Sequence, residues 1–237
     1  MIKKIEQKEV IKSYNEKHGL SNQFLPDDAL YRWVLRKTNP KPGMALLDVA
    51  CGMGMMVVCG EKQGLKSFGI DISFMAIQRA KKVFGLSRMS TSEGEKLPFT
   101  DNSFDLVTNL GSLEHFLSIE EGLSEMRRVV KKDGVVAIYL PNSYYLVDVL
   151  WEVGRKGYGP THSQIIERFA TFGEWRDLIE AHGLKVKQTY KYNLRFPITK
   201  TDWKFVMQRP QRLLKAMVAP FIPFNLSYSF LFICESN

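Results

Sequence analysis

Short apolar runs recur at 44–49, 67–72, 105–109 and 135–140, each bounded by turn residues, and longer stretches with apolar positions three or four apart lie between them. Apolar runs of this length, rich in Val, Ile and Leu, read as buried strands, and the longer periodic stretches read as helices. Strand and helix in alternation predict a parallel sheet, wound by right-handed crossovers and covered on both faces. Two helix starts are marked by the capping-box pattern, Ser118-Ile119-Glu120-Glu121 and Thr171-Phe172-Gly173-Glu174, with Gly134 and Gly183 as the expected stops. Two further β-rich runs, 184–192 and 226–235, close the series.

The first strand runs directly into a glycine turn, Leu46-Leu47-Asp48-Val49-Ala50-Cys51-Gly52-Met53-Gly54, and the second, Phe68-Gly69-Ile70-Asp71-Ile72, ends in an acid. Gly52 and Gly54 allow a sharp turn and a close backbone approach to a ligand. Asp48 falls at the carboxyl end of its strand, where open α/β sheets place ligands and where it can receive an ammonium group. Asp71, at the end of the next strand, can accept both hydroxyls of a ribose. A dinucleotide fingerprint would continue with a third glycine beneath a pyrophosphate, but this chain continues Met55-Met56-Val57-Val58. The pattern therefore suits an adenosine-containing cofactor without phosphates.

The motifs continue through Ser92-Glu93-Gly94-Glu95-Lys96-Leu97-Pro98-Phe99, Asp101-Asn102-Ser103-Phe104-Asp105-Leu106-Val107, Leu113-Glu114-His115-Phe116 and Met126-Arg127-Arg128-Val129-Val130-Lys131-Lys132-Asp133-Gly134-Val135. Over about 42–142 the chain resembles the class I S-adenosylmethionine-dependent methyltransferases. The resemblance implies an α/β fold: a Rossmann-like, doubly wound, mostly parallel seven-stranded sheet with an antiparallel edge hairpin made by the last two strands, plus an inserted helical element. It also implies S-adenosylmethionine as cofactor and S-adenosylhomocysteine as product. By the resemblance, Asp48, Ala50, Gly52 and Gly54 hold the methionine moiety, and Asp71, followed by Ile72, holds the ribose. Glu93 reads the adenine amino group, Gly94 meets the ring, and Asn109 and Leu110 lie under the sulfonium. At Ala50 the family more often has glycine, and alanine is nearly as small.

The chain has 237 residues, of which 45% are hydrophobic, enough for one full core and a single catalytic domain spanning 1–237. Within it the expected parts are an amino-terminal helical lid (1–41), the cofactor-binding core (42–142), substrate-side helices and the sixth strand (143–194), a basic amphipathic insertion (195–225) and the seventh strand (226–237). Residues 1–8 lack the apolar stretch of a signal peptide, and no apolar run is long enough to span a bilayer, so a cytoplasmic protein is expected, with room for peripheral attachment to a membrane. Cys51, Cys59 and Cys234 share no metal-ligand spacing and read as small buried hydrophobes; no metal site is expected.

Substrate choice should lie outside the scaffold. The lid carries Tyr14, His18, Phe24, Tyr31 and Trp33. The connection 195–225 is far longer than the roughly two to five residues a hairpin needs. Between 185 and 215 stand nine basic residues against the single acid Asp202, interleaved with Trp203, Phe205, Leu213 and Leu214, while the whole chain has a net charge of +8. Basic residues mixed with aromatics suit an anionic partner with an apolar part, a lipid-linked precursor or an anionic membrane surface. A solvated face is the plain alternative. Nucleic acid ranks second among partners: no RNA module is visible, and Asn109-Leu110-Gly111-Ser112 lacks the Asn/Asp-Pro-Pro-aromatic pattern of enzymes that methylate the amino groups of bases.

A sulfonium methyl is already activated, so the protein has mainly to align the acceptor and, for a hydroxyl, to supply a base. His115, just past the fourth strand, is the first candidate, and His162, in Gly159-Pro160-Thr161-His162, is the second. His18 and His182 read as helix residues on packing or solvent faces. The expected activity is methyl transfer to an oxygen, or second a nitrogen, of a small metabolite, sugar or lipid-linked precursor. An RNA methyltransferase and a non-catalytic S-adenosylmethionine-binding protein are the alternatives.

Overall fold

A computed structural model of the chain describes residues 5–20, 28–159, 164–193 and 211–236, with Trp203 and Met207. The strands are β1 (Ala45–Val49), β2 (Lys66–Asp71), β3 (Met89–Thr91), β4 (Phe104–Leu110), β5 (Val130–Pro141), β6 (Leu184–Tyr192) and β7 (Ser229–Ser236). They form one sheet in the order β3-β2-β1-β4-β5-β7-β6. The first five run parallel, and β7 lies antiparallel between β5 and β6. The doubly wound sheet with an antiparallel edge pair is therefore as the alternation of runs and the family resemblance predict. Strand β3 has only three residues, too few to leave a periodic signal in the sequence.

Helices α1 (Gln7–Leu20), α2 (Ala29–Thr38), α3 (Met55–Lys62), α4 (Phe74–Phe84), α5 (Ile119–Val129), α6 (Leu146–Asp148), α7 (Phe172–Ala181) and α8 (Gln211–Val218) surround the sheet. A wide-turned helix, Val149–Lys156, continues α6. Central strands read as continuous apolar runs because both sheet faces are covered. On one face Leu47, Val49, Phe230 and Phe232 pack with Leu123 and Met126 of α5 and Trp175 and Ile179 of α7. On the other, Leu46, Leu106 and Leu231 pack with Trp33 and Leu35 of α2 and Met56 of α3. Trp33 is thus a core residue, its ring 5.0 Å from that of Tyr192, rather than part of a lid over a ligand.

The cap signals hold with one correction. At α7 Thr171 and Glu174 form the complete capping box, and the helix stops at Gly183 with φ +78°. At α5 the Ser118 hydroxyl accepts from the Glu121 N–H at 3.2 Å. This helix ends at Val129, however, and the chain enters β5 at once, so Gly134 is a strand residue and not a helix stop. A Cβ on Gly134 would lie 3.1 Å from the Asp105 carbonyl oxygen, where the β4 and β5 register shifts. Glycine is needed there for close strand approach.

The chain leaves β1 for β2 and β3 on one side and returns to β4 on the other. Doubly wound sheets open a crevice at that reversal, outside the carboxyl ends of the strands. The three cysteines are free and buried, as expected.

Candidate cofactor and acceptor site

A cavity of about 310 Å³ occupies that crevice. Its floor is the turn after β1 (Ala50, Gly52), the end of β2 (Asp71, Ile72) and the turn after β4 (Leu110), with Gly94 on one wall. The roof is α1, which presents Tyr14, Lys17 and His18. Asn15 holds this helix in place: its Oδ1 accepts from the Ser73 hydroxyl at 3.0 Å and from the Met75 N–H at 3.2 Å, at the start of α4.

Asp71 is the centre of the floor. Its Oδ2 accepts from the Gly52 N–H at 2.7 Å and its Oδ1 from the Ser73 N–H at 2.8 Å. Each oxygen keeps a lone pair for a ligand hydroxyl. Burial pushes the carboxyl upward, and the two N–H donors and nearby His18 oppose the shift. His18 lines the cavity, contrary to the expectation of a packing or solvent face, and burial pushes its imidazole downward against the pull of Asp71. Gly94 lines the cavity and is packed against the Phe116 ring, which a Cβ would overlap, so only glycine fits there.

Ala50 adopts φ +58°. The requirement at this position is therefore conformational, a left-handed turn, and not only small size.

Four predicted residues stand behind the wall and do not line the cavity. Asp48 is buried under the floor, where its Oδ1 accepts from the Thr108 hydroxyl at 2.6 Å. Desolvation outweighs this bond and raises its pKa to about 7. Asn109 donates to the Val49 carbonyl at 3.2 Å and accepts from the Leu113 N–H at 2.9 Å, tying the ends of β1 and β4 to the next turn. Gly54, at φ +76°, caps α3 and packs against Leu86 and Met89. Glu93 leaves the wall to its neighbours Ser92 and Glu95. His162 lies outside the described residues.

His115 does line the cavity. Its Nδ1 is 2.6 Å from the Ile166 carbonyl oxygen, which can only accept, so Nδ1 carries the proton and Nε2 the lone pair. The Gln164 side-chain amide, 2.8 Å away, then donates to Nε2, while the Gln164 Oε1 accepts from the Tyr14 hydroxyl and the Lys17 ammonium, each at 3.0 Å. Burial lowers the His115 pKa and keeps the ring neutral at physiological pH. Glu114, beside it, is buried with its Oε2 unpartnered and its Oε1 3.8 Å from His115 Nε2; desolvation raises its pKa to about 8.

Lys17 and Gln164 escape sequence reasoning, and Glu114 stands in the motif Leu113-Glu114-His115-Phe116 without a role assigned from it. Gln164 is 49 residues from His115 and 150 from Tyr14, and neither periodicity nor a motif marks it. His182 has a structural place, its Nδ1 2.8 Å from the Leu178 carbonyl oxygen near the end of α7.

A seven-stranded sheet of this order, with an acid at the end of β2 and a glycine turn after β1, is a Rossmann-like, doubly wound arrangement that places a ligand where the strand order reverses. Residues 47–138 match the family described as "Methyltransferase domain". The chain is 34% identical over 128 residues to the demethylmenaquinone methyltransferase of Corynebacterium kroppenstedtii, covering 52% of this chain and 54% of that protein. It is 29% identical over 196 residues to the 2-phytyl-1,4-naphtoquinone methyltransferase of Trichormus variabilis, covering 74% and 75%. The chain spans about half the length of the first of these relatives and three quarters of the second. Among solved structures, the PH0226 protein of Pyrococcus horikoshii OT3 superposes with a TM-score of 0.60 at 19% identity, covering 89% of each chain. The [4+2]-cyclase SpnF superposes with a TM-score of 0.61 at 19% identity, covering 88% of this chain and 80% of that one. Since the latter is named for a ring closure, the fold alone does not dictate the reaction.

Proposed function

We propose that the chain transfers a methyl group from S-adenosylmethionine to a small acceptor with an apolar body, a quinone-like ring or a lipid-linked precursor, at an oxygen or second a nitrogen. The observation that carries this reading is that one cavity brings together Asp71, whose carboxylate keeps free lone pairs, and the neutral ring of His115, with the apolar Leu110 and Phe116 in the same lining. The names of the Corynebacterium and Trichormus relatives support a quinone-type acceptor.

The donor set fits the cofactor: the free lone pairs of Asp71 suit the ribose hydroxyls, and Gly94, which lines the same cavity without a side chain, offers its backbone to the adenine. When bound, S-adenosylmethionine supplies an electrophilic methyl group. The chain's own residues bind, orient and deprotonate. Leu110 and Phe116 hold the apolar ring, and α1 closes the cavity against water. His115 Nε2 takes the proton of an acceptor hydroxyl once the Gln164 amide turns aside, while Nδ1–H keeps its bond to Ile166.

The test is transfer of isotopically labelled methyl into a cell extract, followed by separation into aqueous metabolites, organic-extractable lipids and nuclease-sensitive polymer. Label in the organic fraction is the expected outcome. Label lost on nuclease treatment would overturn it in favour of an RNA acceptor.

A further inference from the structure

We infer that the rim of the sheet beside the cavity is a docking surface for an anionic lipid bilayer. The rim follows from the topology. Strand β5 ends at Pro141, paired with Ser229 where β7 begins, and Leu110 at the end of β4 pairs with Tyr139. The segments 142–158 and 219–228 therefore leave the sheet at the same end as Leu110 and His115. They are joined to each other: the Asn142 amide donates to the Asn225 and Ser227 carbonyls at 2.9 and 2.8 Å, and the ring of Tyr145 lies 5.2 Å from that of Tyr228.

Both segments turn large apolar side chains to solvent. Leu150 is 66% exposed, Trp151 53%, Met217 56% and Phe221 83%. The helix Val149–Lys156 buries none of its residues, so its apolar side chains do not serve the core. In and after α8 the division is sharper. Ala216, Ala219 and Ile222 are buried against the protein while Met217, Val218 and Phe221 point away from it. Clustered exposed apolar groups of this size mark a surface that another apolar phase covers.

Charge selects the occupant. From 203 to 234 the sequence has four basic residues and no acid. On the neighbouring helix the Arg155 guanidinium lies 4.4 Å from the centre of the Trp151 ring, and Glu152 is already paired with Lys156 at 2.8 Å. Like charges would oppose a second copy of so basic a segment, whereas anionic headgroups attract it as the aromatic and aliphatic side chains enter the headgroup boundary. The docked rim sets the cavity beside the bilayer, and this use rests on the proposed lipidic acceptor.

The experiment is flotation of the full-length chain with vesicles of phosphatidylcholine alone or mixed with phosphatidylglycerol, comparing wild type with Phe221→Ser and with Leu150→Ser/Trp151→Ser. Binding should require phosphatidylglycerol, weaken with salt, and fall by about tenfold for each variant, the order expected when a large apolar group is withdrawn from the interface. S-adenosylhomocysteine affinity should stay at the wild-type value in the same variants. Absence of binding to anionic vesicles, or binding indifferent to the substitutions, would overturn the docking surface. So would self-association in solution that Phe221→Ser abolishes. The proposed methyl transfer fails separately, by loss of S-adenosylhomocysteine binding in the wild type.

Discussion

His115 Nε2 accepts a hydrogen bond from the Gln164 side-chain amide at 2.8 Å, and through the Gln164 oxygen it is joined to Tyr14 and Lys17 on the roof helix. A neutral amide at that position leaves the ring neutral, whereas a carboxylate would favour its charged form. Gln164→Glu should therefore raise the His115 pKa from its lowered value. Titration of the His115 ring by NMR checks this, and an unmoved midpoint would remove Gln164 from contact with Nε2.

If His115 is the base, His115→Ala should lower kcat for a hydroxyl acceptor by about 10²- to 10⁴-fold. S-adenosylhomocysteine affinity should change little, since the proposed cofactor contacts rest on Asp71 and Gly94. Labelled methyl transfer and calorimetric titration together separate the two effects.

Asp71→Ala removes the acceptor of both the Gly52 and the Ser73 N–H bonds as well as the two free lone pairs. Hydrogen bonds to a charged group are each worth about 1.5–3 kcal/mol, so with two lost S-adenosylhomocysteine should bind about 10²- to 10⁴-fold more weakly. Calorimetry gives the ratio directly. Wild-type affinity would rule Asp71 out as the ribose acceptor.

Two small substitutions should act in opposite directions. Gly94→Ala forces a methyl group into the Phe116 ring and should destabilise the fold by about 1–3 kcal/mol while weakening the cofactor product. Ala50→Gly relieves a left-handed backbone at φ +58° and should stabilise by up to about 1 kcal/mol. Denaturant unfolding with and without S-adenosylhomocysteine measures both.

Glu114 carries a pH signature. Burial raises its carboxyl from the ordinary 4.5 to about 8, so between those values the folded chain holds a proton that the unfolded chain has lost. Its contribution to stability is present below pH 4.5 and declines as pH rises to 8, by up to about 1.4 kcal/mol per pH unit. Glu114→Gln has no proton to lose there and should flatten the decline. Unfolding curves at pH 5, 6.5 and 8 test it, and parallel slopes for the two proteins would contradict it.

The sheet was legible because its signals are local. Apolar runs, the glycine turn and the hydroxyl–Glu caps at Thr171 and Ser118 each act over a few residues, within which backbone conformation is set. A glycine after a helical stretch reads as a stop, but Gly134 is required because Val130 and Lys131 of its own strand and Asp105 of β4 all crowd the place of a Cβ. Asp48 and Asn109 were placed on the correct strand ends but one layer too near the ligand, since the direction of a side chain at a strand end depends on what packs beneath it. Thr108 and Leu113 decide that here.

The sequence by itself determined the order of strands and helices, the turn geometry after β1 and the acid at the end of β2, all of which follow from steric and hydrophobic preferences carried within one segment. Only the tertiary structure decided that Gln164 meets His115, that His18 lines the cavity beside Asp71, and that the segments after β5 and before β7 are joined through Asn142 and Tyr145. Those relationships join residues dozens to more than a hundred positions apart, and they exist because burial of the two sheet faces brings the carboxyl ends of β1, β2 and β4 under a single helix.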